Sequence, residues 1–451
     1  MRFRPGLYRY PALLPFVFLS AGIILSGSRW AVPIAVSSLL FAILLRKSFL
    51  YAAFFVAIGV LLVRLYPRSA LEGFVGKRIR LHLKVISPST ASIDSVMTGN
   101  GMKPFRGKIG IQPGFDVGSR IDATGFVAQT DNPYLIGNGI FHTFDVERLH
   151  SIVPPHGFRA ALRQTIESEI TSNVRDTLAA GLLTAFFMGN RRQVPFPVKE
   201  NFRKAGIYHL FAISGLHIGI LFAIFFMALR FLRLGKEASA FAAGLILTVY
   251  AAMVGFSPSI IRALIMAWAF ILSFLAGKRT FPINTLAIAG LISLFINPFY
   301  VFNLGFQLSY LATFGILLFL PLFQRLRPVW LVTPLMASIA AMAYTAPLLS
   351  HNFGYFSVMS PLTSFAGGWL LWLALTELLL GLFTGFYGFY AVSELATGAL
   401  IHLAKAAGEL PFSVVHIRPG VSAIILWYAV LTVAGVFMRH RQRSPFDADR
   451  R

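Results

Sequence analysis

Polar side chains interrupt a hydrophobic segment of this chain at residues 206–219. His209, Ser214, Gly215 and His217 lie there among apolar residues. Ionisable side chains are costly in hydrocarbon and tend to face a cavity or a partner, and glycine permits close helix approach or a break. On a single helix the two histidines would share a face about two turns apart. The segment therefore predicts either an interior packing contact or one wall of a hydrated path.

Hydrolytic chemistry is a weaker hypothesis for this segment. Ser214 and His217 could form a nucleophilic dyad, but their spacing on one helix disfavours a productive geometry, and no glycine-rich oxyanion loop accompanies them. The chain contains no cysteine, no HExxH zinc-protease motif and no P-loop. The sequence therefore predicts no metal, no cofactor and no ATP hydrolysis by this chain.

A proline marks a second polar break, in residues 255–266. Pro258 separates two apolar runs, so two helices are expected to meet there, with Ser257 or Ser259 capping the second. Arg262 follows about one turn into that helix. A helix N-terminus beside a guanidinium suits a phosphate group, whereas an arginine that extends towards the membrane interface is the structural alternative.

A third group of polar and aromatic residues follows in residues 297–315, and it comprises Gly305, Phe306, Gln307, Ser309 and Tyr310. Gln307 and Tyr310 are about one helical turn apart, which would bring an amide beside an aromatic ring. Nucleic-acid bases could stack and form hydrogen bonds there. Hydrogen bonding between neighbouring helices is equally compatible with the pattern.

Long apolar runs must position these groups. Of the 451 residues, 56% are hydrophobic, above the roughly 45–50% of soluble chains. Runs near the length of a membrane-spanning helix occupy residues 7–26, 30–45, 48–65, 207–231, 238–254, 260–276, 282–296, 304–322, 329–349, 361–385 and 421–438. The basic tail predicts a cytoplasmic C-terminus. That placement requires either a re-entrant hairpin at 361–385 or membrane insertion of 392–410.

The distribution of charged residues indicates which kind of solute a membrane pathway in this chain would suit. Lysine and arginine outnumber acidic residues by 40 to 17, and no Asp or Glu occurs from residue 238 to residue 376. Proton- and cation-coupled transporters usually carry a carboxylate within the membrane. The acid-free stretch fits a pathway for an anion, although hydrophobicity alone would also produce it. A small-anion or lipid-precursor transporter therefore remains the second hypothesis.

Residues 73–153 differ from the rest of the chain because apolar and polar residues alternate there. The alternation, with turn residues between the runs, predicts a small extracytoplasmic β-barrel of about the size of an OB fold. Arg78, Arg80 and Lys84 would share its outer face. This face could bind single strands, or the domain could only brace the rest of the protein. Residues 156–206 are expected to form two amphipathic interfacial helices, one from Phe158 to Leu178 and one at 197–205.

The segments HLFAISGLHIGIL, GFSPSIIRALIM and NPFYVFNLGFQLSYLATFGIL resemble, in order and spacing, the ComEC family of competence DNA-uptake channels. The resemblance covers nearly the whole chain, divided into N-terminal spans (1–67), an OB-like domain (73–153), interfacial helices (156–206), a channel domain (207–438) and a basic tail (439–451). It implies a multi-pass inner-membrane channel for single-stranded DNA rather than an enzyme. The pathway residues carried over are His209, Ser214, Gly215, His217, Ser259, Arg262, Gly305, Phe306, Gln307, Ser309 and Tyr310.

The resemblance also implies partners, and the chain departs from it in places. A DNA-delivery receptor and a cytoplasmic ATP-driven helicase or translocase are expected, beside membrane lipids. The nuclease motif of many relatives is absent, so another polypeptide would supply any nuclease that uptake needs. Asn190 and Asn303 occupy positions where relatives often carry acids, which leaves the role of those acids open here. Oligomeric state and strand polarity do not follow from the sequence.

Overall fold

The computed structural model describes residues 12–25, 47–65, 70–87, 89–98, 101–112, 115, 117–155, 157–323 and 328–441. The predicted span at 30–45 and the tail beyond residue 441 lie outside the described residues. The chain divides into two compact units. The first unit contains Pro11–Thr165 and Gly290–Gln307, and the second contains Ile166–Ala289 and Leu308–Arg451.

The described helices are numbered in chain order. They are α1 (Leu13–Leu25), α2 (Lys47–Leu65), α3 (Pro133–Ile136), α4 (Phe158–Asn173), α5 (Thr177–Met188), α6 (Phe196–Lys204), α7 (Gly215–Phe231), α8 (Lys236–Val254), α9 (Pro258–Leu275), α10 (Pro282–Ile296), α11 (Leu304–Phe323), α12 (Val329–Phe353), α13 (Ser360–Thr384), α14 (Tyr387–Glu409) and α15 (Val421–Arg441). The strands are β1 (Arg78–Ser87), β2 (Thr90–Thr98), β3 (Gly101–Ile111), β4 (Arg120–Gln129), β5 (His142–Val153), β6 (Tyr355–Ser357) and β7 (Val414–His416).

The membrane character predicted from the sequence is confirmed. Among the described residues, six helices are long and apolar enough to cross a membrane, namely α8, α9, α11, α12, α13 and α15. Helices α1, α5, α7 and α10 are apolar but shorter. Each of the six begins within two residues of a span predicted from hydropathy, because a run of about 20 apolar residues is a strong signal for a spanning helix.

In the first unit, β1 to β5 close into a barrel with the order β1-β2-β3-β5-β4. β4 pairs with β1 to complete the closure, and β3 and β5 form the parallel pair. The alternation in β1 places Leu81 and Leu83 inside, where they pack with Ile109 and Phe144. The apolar residues whose alternation predicted a β-domain therefore all face one hydrophobic core.

The first unit also contains close backbone approaches at glycines. A Cβ on Gly22 of α1 would lie 2.2 Å from the Val56 carbonyl oxygen of α2, so the two helices can cross only without a side chain there. Gly137, which follows α3, would meet the Asn303 backbone nitrogen at 2.7 Å. Phe141 packs edge-on against Phe299, with ring centroids 5.0 Å apart. The turn before α11 is thus packed against the loop that leads into β5.

One of the two predicted interfacial helices is broken in the structure. The helix expected from Phe158 to Leu178 ends at Asn173, and α5 starts after an N-cap at Asp176, whose carboxylate accepts from the Leu178 backbone N–H at 2.8 Å. Residues 179–188 of α5 are all buried, so this part is a core helix rather than an interfacial one. The helix predicted at 197–205 is confirmed as α6.

The C-terminal helices exclude one of the two alternatives for the membrane crossings. Helix α13 is continuous, so a re-entrant hairpin at 361–385 is wrong, and α14 packs back along it through the bond from the Ser393 hydroxyl to the Ala374 carbonyl, 2.8 Å. Strands β6 and β7 pair with each other. The end of α12 and the start of α15 therefore lie at the same end of the second unit. If both helices cross a membrane, their other ends emerge together on the opposite side.

Candidate functional site

The first polar segment forms a turn and a helix start instead of one long helix. Residues Tyr208–Phe211 form a 3₁₀ turn, and α7 begins only at Gly215. The prediction that His209 and His217 share a helix face is therefore wrong. His209 is exposed, whereas His217 is fully buried in the first turn of α7.

Ser214 and His217 cap the start of α7. The Ser214 hydroxyl accepts from the Leu216 backbone N–H at 3.3 Å, and the His217 Nδ1 accepts from the Ser214 backbone N–H at 3.3 Å. Ser214 Oγ and His217 Nδ1 are also 3.2 Å apart. Reciprocal bonds of this kind satisfy the free N–H groups of a helix start. Among the described residues no partner holds His217 Nε2, so the pair is a helix cap without the orienting third group of a hydrolytic triad.

The predicted break at Pro258 is confirmed. Helix α8 ends at Val254, Gly255 has a φ of 107°, and α9 starts at Pro258. Ser257, rather than Ser259, caps α9, since its hydroxyl accepts from the Ile260 backbone N–H at 3.4 Å. Ser259 lies in the first turn of α9 and is half-buried.

Arg262 joins parts of all three predicted segments. Its guanidinium donates from Nη1 to the Thr313 hydroxyl of α11. A Cβ on Gly215 would lie 3.0 Å from Arg262 Nη2, so a side chain at the start of α7 would push the guanidinium aside. Tyr310 of α11 interacts electrostatically with the same group. We call Gly215, Arg262, Tyr310 and Thr313 the Arg262 cluster.

The Arg262 cluster holds a buried cation without a carboxylate. Arg262 is 6% exposed, and none of the ion pairs among the described residues involves it. Its Nε has no hydrogen-bond partner within the described chain. A buried charge is costly unless it is paired, and a guanidinium offers several donors that match phosphate or carboxylate oxygens. The arrangement is suited to receiving an anion.

Only part of the third polar segment, residues 297–315, belongs to the Arg262 cluster. The Thr313 hydroxyl donates to the Ser309 carbonyl at 2.8 Å, so Ser309 and Tyr310 lie on the turn of α11 that precedes Thr313. The Gln307 amide instead donates to the Val301 carbonyl at 2.8 Å. The prediction that Gln307 presents its amide beside Tyr310 is thus replaced by a bond to the preceding turn. Thr313 was not singled out from the sequence, although its spacing from Ser309 matches one helical turn.

The remaining residues of the third segment form the start of α11. The Asn303 side-chain oxygen accepts from the Phe306 backbone N–H at 3.0 Å, as an N-cap should. Phe306 is buried and stacks on Tyr300 at 6.4 Å, while Gly305 is exposed. An asparagine oxygen performs the capping function that an aspartate would perform, so Asn303 preserves the helix start without a charge.

Asn190 also has a local explanation. Its amide donates to Glu167 Oε1 at 3.1 Å, and Gln193 donates to the same oxygen at 3.3 Å. An acid at position 190 would face that carboxylate and repel it. The Asn190 amide avoids this repulsion and donates a hydrogen bond to Glu167 instead.

The outer face of the barrel is less cationic than predicted. Arg78 pairs with Glu147 at 2.7 Å, and Arg80 donates twice to Asp122, at 2.8 and 2.5 Å. Hydrogen bonding from Arg80 lowers the pKa of Asp122. Lys84 is exposed. The prediction from β1 alone did not consider the acids that neighbouring strands place on the same face.

Comparisons with known proteins match the part of the chain that holds these groups. The family model described as Competence protein matches residues 186–442. ComE operon protein 3 of Bacillus subtilis (strain 168) is 29% identical over 232 residues, which are 51% of this chain and 30% of that protein. An uncharacterized protein of Aquifex aeolicus is 29% identical over 247 residues, 54% of this chain and 55% of that protein.

A third relative, the uncharacterized protein MG316 of Mycoplasma genitalium, is 31% identical over 163 residues, 36% of this chain and 41% of that protein. The chain therefore spans less than two thirds of the length of these curated relatives. No solved structure matches the chain. The family match covers more than half of the chain and all three polar segments. The chain belongs to the competence protein family, the ComEC family that its motifs resemble.

Proposed function

We propose that this chain forms the inner-membrane passage through which single-stranded DNA enters the cytoplasm during DNA uptake, and that it acts as a channel and not as an enzyme. The observation that carries the proposal is the Arg262 cluster. Its guanidinium is buried and forms an ion pair with no acid among the described residues; it bonds to Thr313 of α11 and lies against Gly215 at the start of α7. Membership of the competence family supports the same conclusion.

The physics of the task favours a sparse set of cations. Each nucleotide of a single strand carries a negative charge, so hydrocarbon is closed to it and a hydrated, cationic path is needed. Conduction also requires that each binding step stays weak enough to reverse. Arg262 satisfies the first condition, while the hydroxyls of Ser259, Ser309 and Thr313 would supply neutral contacts. His209 and Ser214 would continue the path at the start of α7.

In this proposal the barrel is an OB-like domain. Five strands closed in the order β1-β2-β3-β5-β4 are compatible with the five-stranded barrel of that fold. Arg78 and Arg80 pair with acids, whereas no ion pair within the described part of the chain involves Lys84, the third member of the predicted trio. We therefore assign the barrel a weak, salt-sensitive contact with single strands.

The passage would work with partners. A receptor would deliver DNA, a separate nuclease would remove one strand, and a cytoplasmic ATP-driven helicase or translocase would draw the other strand inward. The larger unit, Ile166–Ala289 with Leu308–Arg451, would form most of the channel. The start of α12, which follows Arg325 and Arg327 in the sequence, and the basic end of α15 would face the cytoplasm.

The test compares Arg262→Gln with Arg230→Gln in a deletion strain, with uptake of fluorescent DNA and transformation as measurements. Arg230 lies in the last turn of α7 and is exposed, so it serves as the matched arginine control. We expect Arg262→Gln to reduce uptake about tenfold or more, because a charge-assisted contact is lost, and Arg230→Gln to be near wild type. Normal uptake by Arg262→Gln at equal protein level, with loss of lipid or anion transport, would favour the transporter hypothesis.

A further inference from the structure

A second group of basic and aromatic side chains lies in the second unit, apart from the Arg262 cluster. The Tyr208 ring has two guanidinium groups near its face, because Arg191 and Arg203 each lie 5.9 Å from its centroid. Arg203 also interacts with the Tyr355 hydroxyl. The Tyr355 ring lies 5.9 Å from the His416 ring. We call these five residues the Tyr208 platform.

The fold brings the platform together from distant parts of the sequence. Arg203 lies in the last turn of α6, while Tyr208 begins the 3₁₀ turn that follows. Tyr355 and His416 are direct partners in the pairing of β6 with β7. A separate loop before α6 supplies Arg191. The platform therefore could not be predicted from any one segment of the sequence.

A rigid aromatic base supports the platform. Tyr208 packs edge-on against Phe211 at 5.5 Å, and Phe211 lies 4.8 Å from Phe202 and 5.4 Å from Phe186. These three phenylalanines are fully buried. The platform therefore presents pre-positioned rings, and little ordering entropy remains to be lost when a ligand binds.

The platform keeps excess positive charge at its surface. Among the described residues, the acid that pairs with it is Glu200, 3.4 Å from Arg203. The Arg203 side chain remains 44% exposed in that pair, and Tyr208 and Arg191 are half-buried. The platform thus has one paired carboxylate and two guanidinium groups beside partly exposed rings.

The platform is directly connected to the Arg262 cluster along the chain. The 3₁₀ turn Tyr208–Phe211 includes the exposed His209, and Ser214, the N-cap of α7, follows three residues after the turn. The next residue, Gly215, lies against Arg262. A ligand held at the platform would be placed next to the turn that leads to the buried cation.

We propose that the Tyr208 platform binds single-stranded nucleic acid at one mouth of the passage. A base would stack on the Tyr208 ring or on the pair formed by Tyr355 and His416, and Arg191 and Arg203 would contact the adjoining phosphates. Aromatic rings bind every base through its π-face, and arginines add sequence-independent contacts to the backbone. This inference rests on the proposed function, since it names where the strand is first held.

The experiment measures binding of a fluorescent oligothymidylate to the purified full-length chain by anisotropy, over a range of salt concentrations. We expect Tyr208→Ala to weaken binding about tenfold, because a stacked base is lost, and Tyr208→Phe to bind within about twofold of wild type. The double variant Arg191→Gln/Arg203→Gln should reduce the salt slope by about 2, in proportion to the phosphate contacts removed.

Tyr387→Ala is the matched control. Tyr387 is 41% exposed and has an arginine, Arg175, 5.1 Å from its ring centroid, but it lies outside the platform. Its loss should leave oligothymidylate binding unchanged. Equal elution volume and thermal unfolding of Tyr208→Ala and Tyr208→Phe would show that both variants are folded.

Two outcomes would overturn the inference. One is unchanged affinity and unchanged salt slope in both platform variants. The other is that the platform variants lose binding of anionic lipid while keeping that of the oligonucleotide. If either occurs while Arg262→Gln still reduces uptake in cells as expected, the platform fails and the proposed passage stands. If Arg262→Gln takes up DNA normally, the passage itself fails.

Discussion

Arg262 in the second unit and Arg80 on the barrel have the same side chain in opposite surroundings. Arg80 is partly exposed and bonds twice to Asp122. Arg262 is buried, and its described hydrogen-bond partner is the neutral hydroxyl of Thr313. The chain has no acid from residue 238 to residue 376, whereas β4 and β5 supply Asp122 and Glu147. The comparison shows that the positions of acidic side chains decide which basic side chains remain available to bind an anionic solute.

The largest expected effect comes from giving Arg262 the acid that it lacks. Thr313→Asp would place a carboxylate beside the guanidinium and satisfy it, so a phosphate would meet a neutral pair instead of a cation. We expect DNA uptake to fall about tenfold or more. Thr313→Asn has nearly the same shape without the charge and should retain most uptake. Equal uptake by the two variants would show that the charge of Arg262 is unimportant.

A second change moves the guanidinium without altering any charge. Gly215→Val would force a side chain against Arg262 Nη2, which lies 3.0 Å from the Cβ position. We expect uptake to fall roughly threefold to tenfold, since displacement costs about 1 kcal/mol. Gly219, about one turn later on α7, has no atom within 4 Å of its Cβ position. Gly219→Val should therefore behave as wild type, and an equal defect in both variants would contradict the account.

On the barrel, removing the Asp122 carboxylate would give Arg80 one feature of the surroundings of Arg262, a guanidinium without an acid. Asp122→Asn would free Arg80, so binding of single strands to the full chain should strengthen and its salt slope should steepen by about 1. Asp145→Asn removes the same charge from an exposed site on β5 and is the matched control. An identical salt slope in both variants would mean that Arg80 makes no contact with nucleic acid.

The Asp122 pair also predicts a pH dependence of barrel stability. Because Arg80 lowers the pKa of Asp122, the pair stabilises the barrel above the unfolded pKa of about 3.9 and loses that contribution as pH falls through the lower folded value. Asp122→Asn should thus make the barrel easier to cleave by limited proteolysis at neutral pH. The difference from wild type should disappear in strong acid.

The smallest effect concerns His142 at the start of β5. Burial lowers the pKa of His142, which is 3% exposed. Its contribution to stability is therefore complete above about pH 6.5 and is lost as pH falls through the folded pKa. Proteolytic cleavage of the wild-type barrel should increase between neutral and mildly acidic pH, and this increase should be smaller in His142→Gln. In His150→Gln, which changes an exposed site, the increase should equal that of wild type. An equal increase in wild type and both variants would contradict this assignment.

The sequence predicted the elements well where a repeating pattern is long. Apolar runs located α8 to α13, and alternation in β1 located the barrel core, because burial imposes those periods over many residues. The break before α7 was missed, since Ser214 and His217 form a local cap that hydropathy does not detect. The pairing of Arg80 with Asp122 and the Tyr208 platform were also missed. Both depend on residues that approach only when strands or helices distant in sequence pack together.

The most direct test of the central claim is chemical access to the surroundings of Arg262. The chain has no cysteine, so Ser259→Cys and Ser309→Cys each introduce a single thiol near the cluster, and Val249→Cys introduces one on the apolar, 60% exposed surface of α8. In intact membranes an anionic, membrane-impermeant thiosulfonate should label the first two sites and leave the Val249 site unlabelled. Labelling of neither cysteine near the cluster would contradict a hydrated passage beside Arg262.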